Sequence, residues 1–341
     1  MHRPTDGSGG GGGGGGARSG AEAYAEQRQR WGARTVDGYV KIEKIGEGMY
    51  GEVYKARSRA TEALVALKKV RMDKEKEREG FPITALREIK VLRQLDHPNV
   101  VRLLEIVTSP GDPAVDGLGS IYFVFEFMDH DLQGVMDSEH FAALTEAHAK
   151  HWMSQLLAAM RFCHDKNILH RDIKASNILL SARGDLKLAD FGLARIYSER
   201  LRNYTNRVIT LWYRPPELLL GHTAYGPEVD IWSCGCILAN LLLKRTLFPG
   251  KSELDQLDLI FRVCGTPTRE SWPEWTSSPW FRDARPATEY PRRFAQTFRD
   301  CSPLAVDLLE RMLQLDPARR CSAAEALAHP WFQADPLPAA P

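Results

Sequence analysis

The stretch from His170 to Gly192 constrains this chain more than any other. It reads His170-Arg171-Asp172-Ile173-Lys174-Ala175-Ser176-Asn177, followed by Asp190-Phe191-Gly192. Asp172, Asn177 and Asp190 are hard oxygen donors or bases within one short segment. A magnesium ion takes one or two carboxylates and completes its shell with phosphate and water oxygens. Phosphoryl transfer needs metal neutralisation of the phosphates and a group that orients the attacking hydroxyl. Any one of these acids alone reads as a surface residue. Their order and spacing together point to metal-assisted chemistry on phosphates.

Two upstream motifs fit the same chemistry. In Gly46-Glu47-Gly48-Met49-Tyr50-Gly51-Glu52-Val53 the glycines let the backbone approach phosphates and present N–H groups to them. Alone this is a weak signal, and a plain β-turn explains it equally well. A dinucleotide fingerprint would need a helix after the loop. Glu52-Val53-Tyr54-Lys55 favours a strand instead, so a strand–loop–strand flap is expected. Lys68 ends the apolar run Val65-Ala66-Leu67. Buried without a partner it would cost several kcal/mol, on the order of the penalty for an unpaired charge. Glu88 on the following helix, or a phosphate, would satisfy it; the plain alternative is a strand-edge lysine in water.

With 341 residues, 43% apolar and 26% charged, the chain is long enough for one large or two medium domains with real cores. A net charge of +1 gives no global argument for a nucleic-acid or membrane surface. No run of about 18 apolar residues suggests a transmembrane helix, and no signal-peptide core opens the sequence. Six sparse cysteines lack metal-ligand spacing, and Cys234-x-Cys236 falls in an apolar helical run where the two do not share a face. Reduced thiols in an intracellular protein are expected.

Residues 1–38 read as a disordered tail because Gly9 to Gly16 has no apolar surface to bury. Ala21 to Arg30 is a possible short helix there. From Tyr39 short β-type runs alternate with turns: Val40 to Ile45, Val53-Tyr54, Leu64 to Leu67, Val100 to Val107 and Ile121 to Phe127. A helix is expected from Pro82 to Leu95, and Asp73 to Glu79 reads as a solvated loop. Thr108 to Ser120 is a loop long for a hairpin. From Asp131 the pattern turns helical. Trp152, Leu156, Leu157, Met160 and Cys163 share one helix face, Ile231 to Leu243 is apolar nearly all round, and Leu304 to Leu315 is amphipathic. The expected fold is α+β, with a small antiparallel-sheet lobe carrying one helix and a larger helical lobe.

The three motifs together, in this order, resemble the eukaryotic protein-kinase family from about Tyr39 to Phe332. The resemblance implies a kinase domain at 39–332, with an N-lobe of about 39–126, a C-lobe of about 130–332 and a short tail at 333–341. It implies ATP and Mg²⁺ between the lobes. Ile45, Gly46, Glu47, Gly48, Met49, Tyr50 and Gly51 would cover the nucleotide. Val53, Ala66 and Leu179 would sandwich the adenine, with Phe125 behind it and a hinge at Glu126 to Met128. Lys68 would bind phosphates and pair with Glu88. Asp172 would be the catalytic base, Lys174 would steady the transferring group, and Asn177 and Asp190 would hold Mg²⁺. Glu217, in a Pro215-Pro216-Glu217 run that departs at its first position from the usual Ala-Pro-Glu, would pair with Arg320.

Pro82-Ile83-Thr84-Ala85-Leu86-Arg87-Glu88 resembles the signature helix of the cyclin-dependent kinases, in the variant of their transcriptional branch. The resemblance implies a cyclin partner that biases this helix. Thr205 resembles the family's activating phosphothreonine, with Arg87, Arg171 and Arg195 as its charge partners. Val208, Ile209 and Arg214 resemble a pocket for proline after the phosphoacceptor. Arg207 stands where cell-cycle relatives carry an acid, so no downstream basic requirement is expected. These features fit the Ser-Pro repeats at the C-terminus of RNA polymerase II, and hence the nucleus. The long Thr108–Ser120 loop and Lys174-Ala175 also resemble that branch. Met49-Tyr50 replaces the inhibitory Thr-Tyr pair of many relatives; Met49 cannot be phosphorylated, and Tyr50 reads as a cap on the loop. The rival readings are a cell-cycle or splicing-related member and, more remotely, a catalytically silent scaffold.

Overall fold

The computed structural model describes residues 34–48, 51–70, 83–109, 120–198, 203–284, 286 and 288–340. The expected tail helix at Ala21 to Arg30, the glycine run, Pro82, Met49, Tyr50, the 73–79 loop and most of the 108–120 loop lie outside the described residues.

The N-lobe is a five-stranded antiparallel sheet of order β1-β2-β3-β5-β4. Its strands are β1 (Tyr39–Gly48), β2 (Gly51–Ser58), β3 (Leu64–Lys69), β4 (Leu103–Thr108) and β5 (Ile121–Glu126), with helix α1 (Ile83–Leu92) between β3 and β4. Strand alternation sorts β3 cleanly: Val65 and Leu67 enter a small core with Ala56, Val107, Tyr122 and Val124, while Ala66 and Lys68 face the other way. β1 and β2 pair up to Gly48 opposite Gly51, so the glycine-rich motif is a hairpin and no helix follows it. Gly51 leaves the turn at φ 135°, a conformation an L side chain resists.

The C-lobe begins with the two-residue strand β6 (His130–Asp131) and helix α2 (Leu132–Met136), which Asp131 caps through the Gly134 N–H. Helix α3 (Glu146–Asp165) follows, then the short strands β7 (Ile168–Leu169), β8 (Ile178–Leu180), β9 (Leu186–Leu188) and β10 (Arg195–Ile196). The remaining helices are α4 (Pro216–Leu219), α5 (Glu228–Leu243), α6 (Glu253–Cys264), α7 (Phe281–Ala284), α8 (Phe294–Thr297), α9 (Pro303–Met312) and α10 (Ala323–Leu327). Trp152, Leu156, Leu157, Met160 and Cys163 all fall on the buried face of α3. α5 is buried from Val229 to Leu241, as its uniform apolarity demands. Gly235 lets Leu313 approach its backbone; a Cβ there would sit 2.8 Å from the leucine. All six cysteines are free, and Cys163, Cys234, Cys236 and Cys264 are buried.

Several boundaries differ from the expected ones for identifiable reasons. The strand expected from Val100 starts only at Leu103, because the preceding backbone is bonded elsewhere. Val101 N–H donates to Leu188 O at 2.9 Å, and Leu188 N–H donates to Asn99 O at 2.8 Å. The expected strand at Ile121–Phe127 stops at Glu126, and the helix expected to reach Leu95 stops at Leu92. α5 starts a turn before Ile231, with Glu228 and Asp230 in its first turn. α9 spans Pro303–Met312, not Leu304–Leu315; the Ser302 hydroxyl caps it and Pro303 fills its first position. Residues 34–38, expected in the tail, are ordered: Thr35 bridges to Thr108 and Val36 packs on the small core. The C-terminal residues are docked too. The fully buried Lys150 ammonium donates to the carbonyls of Ala334 and Pro336 at 2.8 and 2.9 Å.

The expected Glu217–Arg320 pair is present, buried and bidentate, at 2.8 and 3.1 Å. Arg320 also donates to the carbonyls of Glu228 and Gln314. It thereby ties α4, α5 and the segment after α9 together. Glu217→Gln leaves a buried guanidinium without its counter-charge and should destabilise the chain by about 3–5 kcal/mol. The control is Glu310→Gln, which breaks an exposed pair with Arg292 and should cost at most about 1 kcal/mol. Urea titration of the two variants checks both values.

Candidate active site

A cleft of about 750 Å³ separates the lobes, within the usual range for a small-molecule site. Ile45, Gly46, Glu47, Gly51, Val53, Ala66 and Lys68 line it from the sheet. Phe125, Glu126 and Met128 line its back, and Leu179 lines it from the C-lobe. Asp172, Lys174, Asn177, Asp190, Val208 and Ile209 close it toward the activation segment, residues 190–217 in the terms of the kinase resemblance.

Lys68 sits at the centre of a charge triad. Its Nζ lies 2.8 Å from Glu88 Oε1 and 2.9 Å from Asp190 Oδ1. The side-chain periods of two elements make this possible. β3 alternation turns Lys68 into the cleft, and α1 presents Glu88 on the same buried face as Ala85. Burial opposes the lysine's charge, yet Glu88 and Asp190 hold its pKa above the ordinary 10.5. Burial pushes the Glu88 carboxyl above 4.5 in spite of Lys68. Burial would likewise raise Asp190, but the attraction of Lys68 outweighs it and holds the carboxyl below 3.8. Asp190 itself has φ 63°, a left-handed conformation imposed where the chain turns from β9 into Phe191–Leu193. α1 packs against that turn.

Asp172 lines the same cleft and is held from three sides. Lys174 Nζ lies 2.9 Å from Oδ2. Asn177 Nδ2 donates to the Asp172 carbonyl at 2.8 Å and to Oδ2 at 3.1 Å. The Thr210 hydroxyl donates to Oδ1 at 2.9 Å. With its nitrogen committed to Asp172, Asn177 keeps its amide oxygen as an acceptor. That oxygen and the ionised Asp190 are hard donors that suit Mg²⁺, which would take its other ligands from phosphate and water.

The loop carrying Asp172 hangs from one buried carboxylate. Asp230, in the first turn of α5, accepts from His170 N–H at 2.9 Å, Arg171 N–H at 2.8 Å and His164 Nε2 at 3.0 Å. It is fully buried, which alone would raise its pKa, but these donors hold it below 3.8. Arg171 is thereby kept at φ 64°. His170 Nδ1 accepts from Asp172 N–H at 3.2 Å, so its Nε2 carries the proton and donates to Ala189 O at 3.0 Å. The two ends of the diagnostic motif are thus joined through one imidazole.

The hinge is pinned as well. Glu126 Oε1 accepts from Arg102 N–H at 2.8 Å and from Lys187 Nζ, on β9, at 3.0 Å. Beyond the cleft, Arg214 donates to the carbonyls of Val208 and Ile209 at 3.0 to 3.1 Å and pairs with Glu253 at 2.6 Å. Ile209 is kept at φ 66° by this clamp. Thr205 is exposed, and so are Arg87 on α1 and Arg195 on β10, elements that pack on each other. Arg171 is buried nearby.

Thr210 and Asp230 were not singled out from the sequence. Thr210 lies in an ordinary run, and no spacing tells that it folds back on Asp172. Asp230 opens an apolar helix, where an acid usually just complements the helix dipole.

Comparison with known proteins agrees with this geometry. Residues 39–332 match the family model described as protein kinase domain. Cyclin-dependent kinase C-1 of Oryza sativa subsp. japonica is 53% identical over 93% of this chain and 62% of its own length. Cyclin-dependent kinase C-3 of the same species is 50% identical over 88% of this chain and 93% of its own. CTD kinase subunit alpha of Schizosaccharomyces pombe is 49% identical over 89% of this chain and 50% of its own. The chain therefore spans under two thirds of the length of two of these three relatives. A solved structure of the yeast RNA Pol II CTD kinase CTDK-1 complex superposes with a TM-score of 0.81 at 44% identity, covering 90% of this chain and 96% of that one.

Asp190 gives a pH test of the triad. Its folded pKa is depressed, so its contribution to stability is present above 3.8 and is lost as pH falls through the lower folded value. Asp190→Asn should therefore be less stable than the unaltered chain at about pH 7, and the gap should close below pH 3.8. Guanidinium titrations across that range measure it.

Proposed function

The chain belongs to the protein kinase family, in its cyclin-dependent branch, and we propose that it transfers the γ-phosphoryl group of ATP to Ser-Pro or Thr-Pro sites when bound to a cyclin. The observation that carries this reading is the Asp172 carboxylate, fixed by Lys174, Asn177 and Thr210 in the same cleft as the Lys68–Glu88–Asp190 triad. Mg²⁺ and ATP, when bound, supply the transferable group and neutralise its phosphate charge. The Asp172 carboxylate orients the substrate hydroxyl and accepts its proton, with Lys174 and Asn177 holding Oδ2 and Thr210 holding Oδ1. Lys174 and Lys68 bring positive charge to opposite sides of the transferring group. Asn177 and Asp190 offer the oxygens for the metal. Ile45, Val53, Ala66 and Leu179 enclose a flat ring against Phe125.

Proline direction follows from the Arg214 clamp. The Ile209 carbonyl is turned into the guanidinium and is already bonded. A substrate residue placed there would leave its N–H without that acceptor. Proline has no N–H to leave. The exposed Arg207, which lines the cleft mouth, disfavours a basic residue downstream.

Leu86, Leu104 and Ile196 are exposed on α1, β4 and β10, an apolar face suited to a cyclin beside Glu88. The relatives named as RNA polymerase II C-terminal-domain kinases support those repeats as substrate and the nucleus as location. Phosphate on Thr205 would gather Arg171, Arg87 and Arg195 around the activation segment.

The test is radiolabelled phosphoryl transfer to polymerase-repeat peptides, with the chain alone and with a panel of cyclins. Activity should require a transcription-type cyclin, and Asp172→Asn should lower it by roughly 100-fold or more. Full activity of the chain alone would overturn the cyclin reading. No activity with any cyclin, despite phosphate on Thr205, would favour a scaffold.

In the same assay a Ser-Pro peptide should outperform its Ser-Ala counterpart by roughly 10- to 100-fold, the cost of one unpaired buried N–H. Equal rates would remove the role given to Arg214.

A further inference from the structure

Thr205 is exposed, yet its backbone is held from inside. The Tyr225 hydroxyl donates to the Thr205 carbonyl at 2.7 Å and accepts from Arg171 Nη1 at 3.0 Å. Tyr225 is 3% exposed, and its ring lies against that of Tyr204 at 5.3 Å. Arg171 in turn donates through Nε to Leu193 O, at the end of the Asp190-Phe191-Gly192 turn. Its carbonyl accepts from Ile209 N–H at 3.1 Å, one residue before Thr210. Beside that backbone bond, the Tyr225 hydroxyl connects Thr205 to the arginine next to Asp172. Burial raises the pKa of that hydroxyl, so it stays a donor throughout the neutral range.

We propose that the Tyr225 hydroxyl is a positioning group that tethers the unphosphorylated activation segment to Arg171, and that phosphate on Thr205 supersedes it. This rests on the reading of Thr205 as the phosphorylated residue. The argument is one of relative bond strength. The tether is a neutral hydroxyl bond to a carbonyl, coupled to one guanidinium donor. A phosphate brings nearly two negative charges and three acceptor oxygens. Its bonds to a guanidinium are charge-assisted and about twice as strong as neutral ones. Arg171 has five N–H donors in a fixed fork and can serve both. The hydroxyl therefore matters most before phosphorylation, when it keeps Ile209 and Thr210 in register with Asp172. Afterwards the phosphate holds the same arginine from the solvent side.

Hydrogen–deuterium exchange of the 203–210 segment in the full-length chain tests this. Four proteins are compared: Thr205 or phosphothreonine at that position, each with Tyr225 or with Tyr225→Phe. Phenylalanine keeps the ring against Tyr204 and removes only the hydroxyl. Without phosphate, Tyr225→Phe should speed exchange roughly five- to tenfold, the effect of one net hydrogen bond. With phosphothreonine the change should be under about twofold. Equal acceleration in both states would make Tyr225 merely structural and overturn the tether, as would no acceleration without phosphate. Phosphothreonine that fails to slow exchange in the chain with Tyr225 would instead overturn the Thr205 reading.

Discussion

The arrangement depends on a carboxylate that never touches the cleft. Asp230 is a charge removed entirely from water at the start of the most apolar helix in the molecule. An unpaired charge there would cost far more than any hydrogen bond returns. It is tolerated because three donors converge on it, two of them backbone N–H groups of the loop that carries Asp172. The constraint runs outward from that point. The helix fixes the loop, the loop forces Arg171 into a left-handed conformation, and Arg171 reaches the Leu193 carbonyl and Tyr225. His170 carries the same order to Ala189, next to Asp190. The chemistry-bearing groups are therefore set by the core of the larger lobe, with Lys68 and Glu88 brought to them by the smaller one.

Two opposed electrostatic designs meet in the cleft. On the Asp172 side the carboxylate is steadied by one lysine and two neutral donors. On the other side one lysine lies between two acids whose protonation is driven apart: Glu88 is raised by burial, and Asp190 is lowered by Lys68. Asp190 is thus the more firmly ionised of the pair, which suits a metal ligand. Glu88 is the partner more easily neutralised.

Much of this was legible in the sequence. Lys68, at the end of an apolar run, called for an anion such as Glu88, and the strand after Gly51 separated a hairpin flap from a dinucleotide loop. The buried face of α3 and the all-round burial of α5 followed from their periodicity. What escaped detection depends on contacts between distant parts of the chain. Val100 and Val101 have the composition of a strand, but their backbone pairs with β9 of the other lobe. Thr210 and Asp230 act through partners 38 and 59–66 positions away. Lys150 reads as a surface lysine on a helix, until the C-terminal carbonyls fold over it. Local pattern specifies which way a side chain points; it does not say what comes to meet it.

The pairing of residues 99–101 with Leu188 also has a mechanical consequence. Among the described residues the lobes meet at this short ladder, at the hinge, where Glu126 grips both Arg102 N–H and Lys187, and again where α1 packs on the Phe191–Leu193 turn and Lys68 pairs with Asp190. The ladder is made by backbone groups, whereas the Lys68–Asp190 link is made by side chains. The first survives any exchange of the Val101 side chain short of proline, while the second is lost with either charge. The lobes thus keep one junction that single substitutions barely reach and one that they can open.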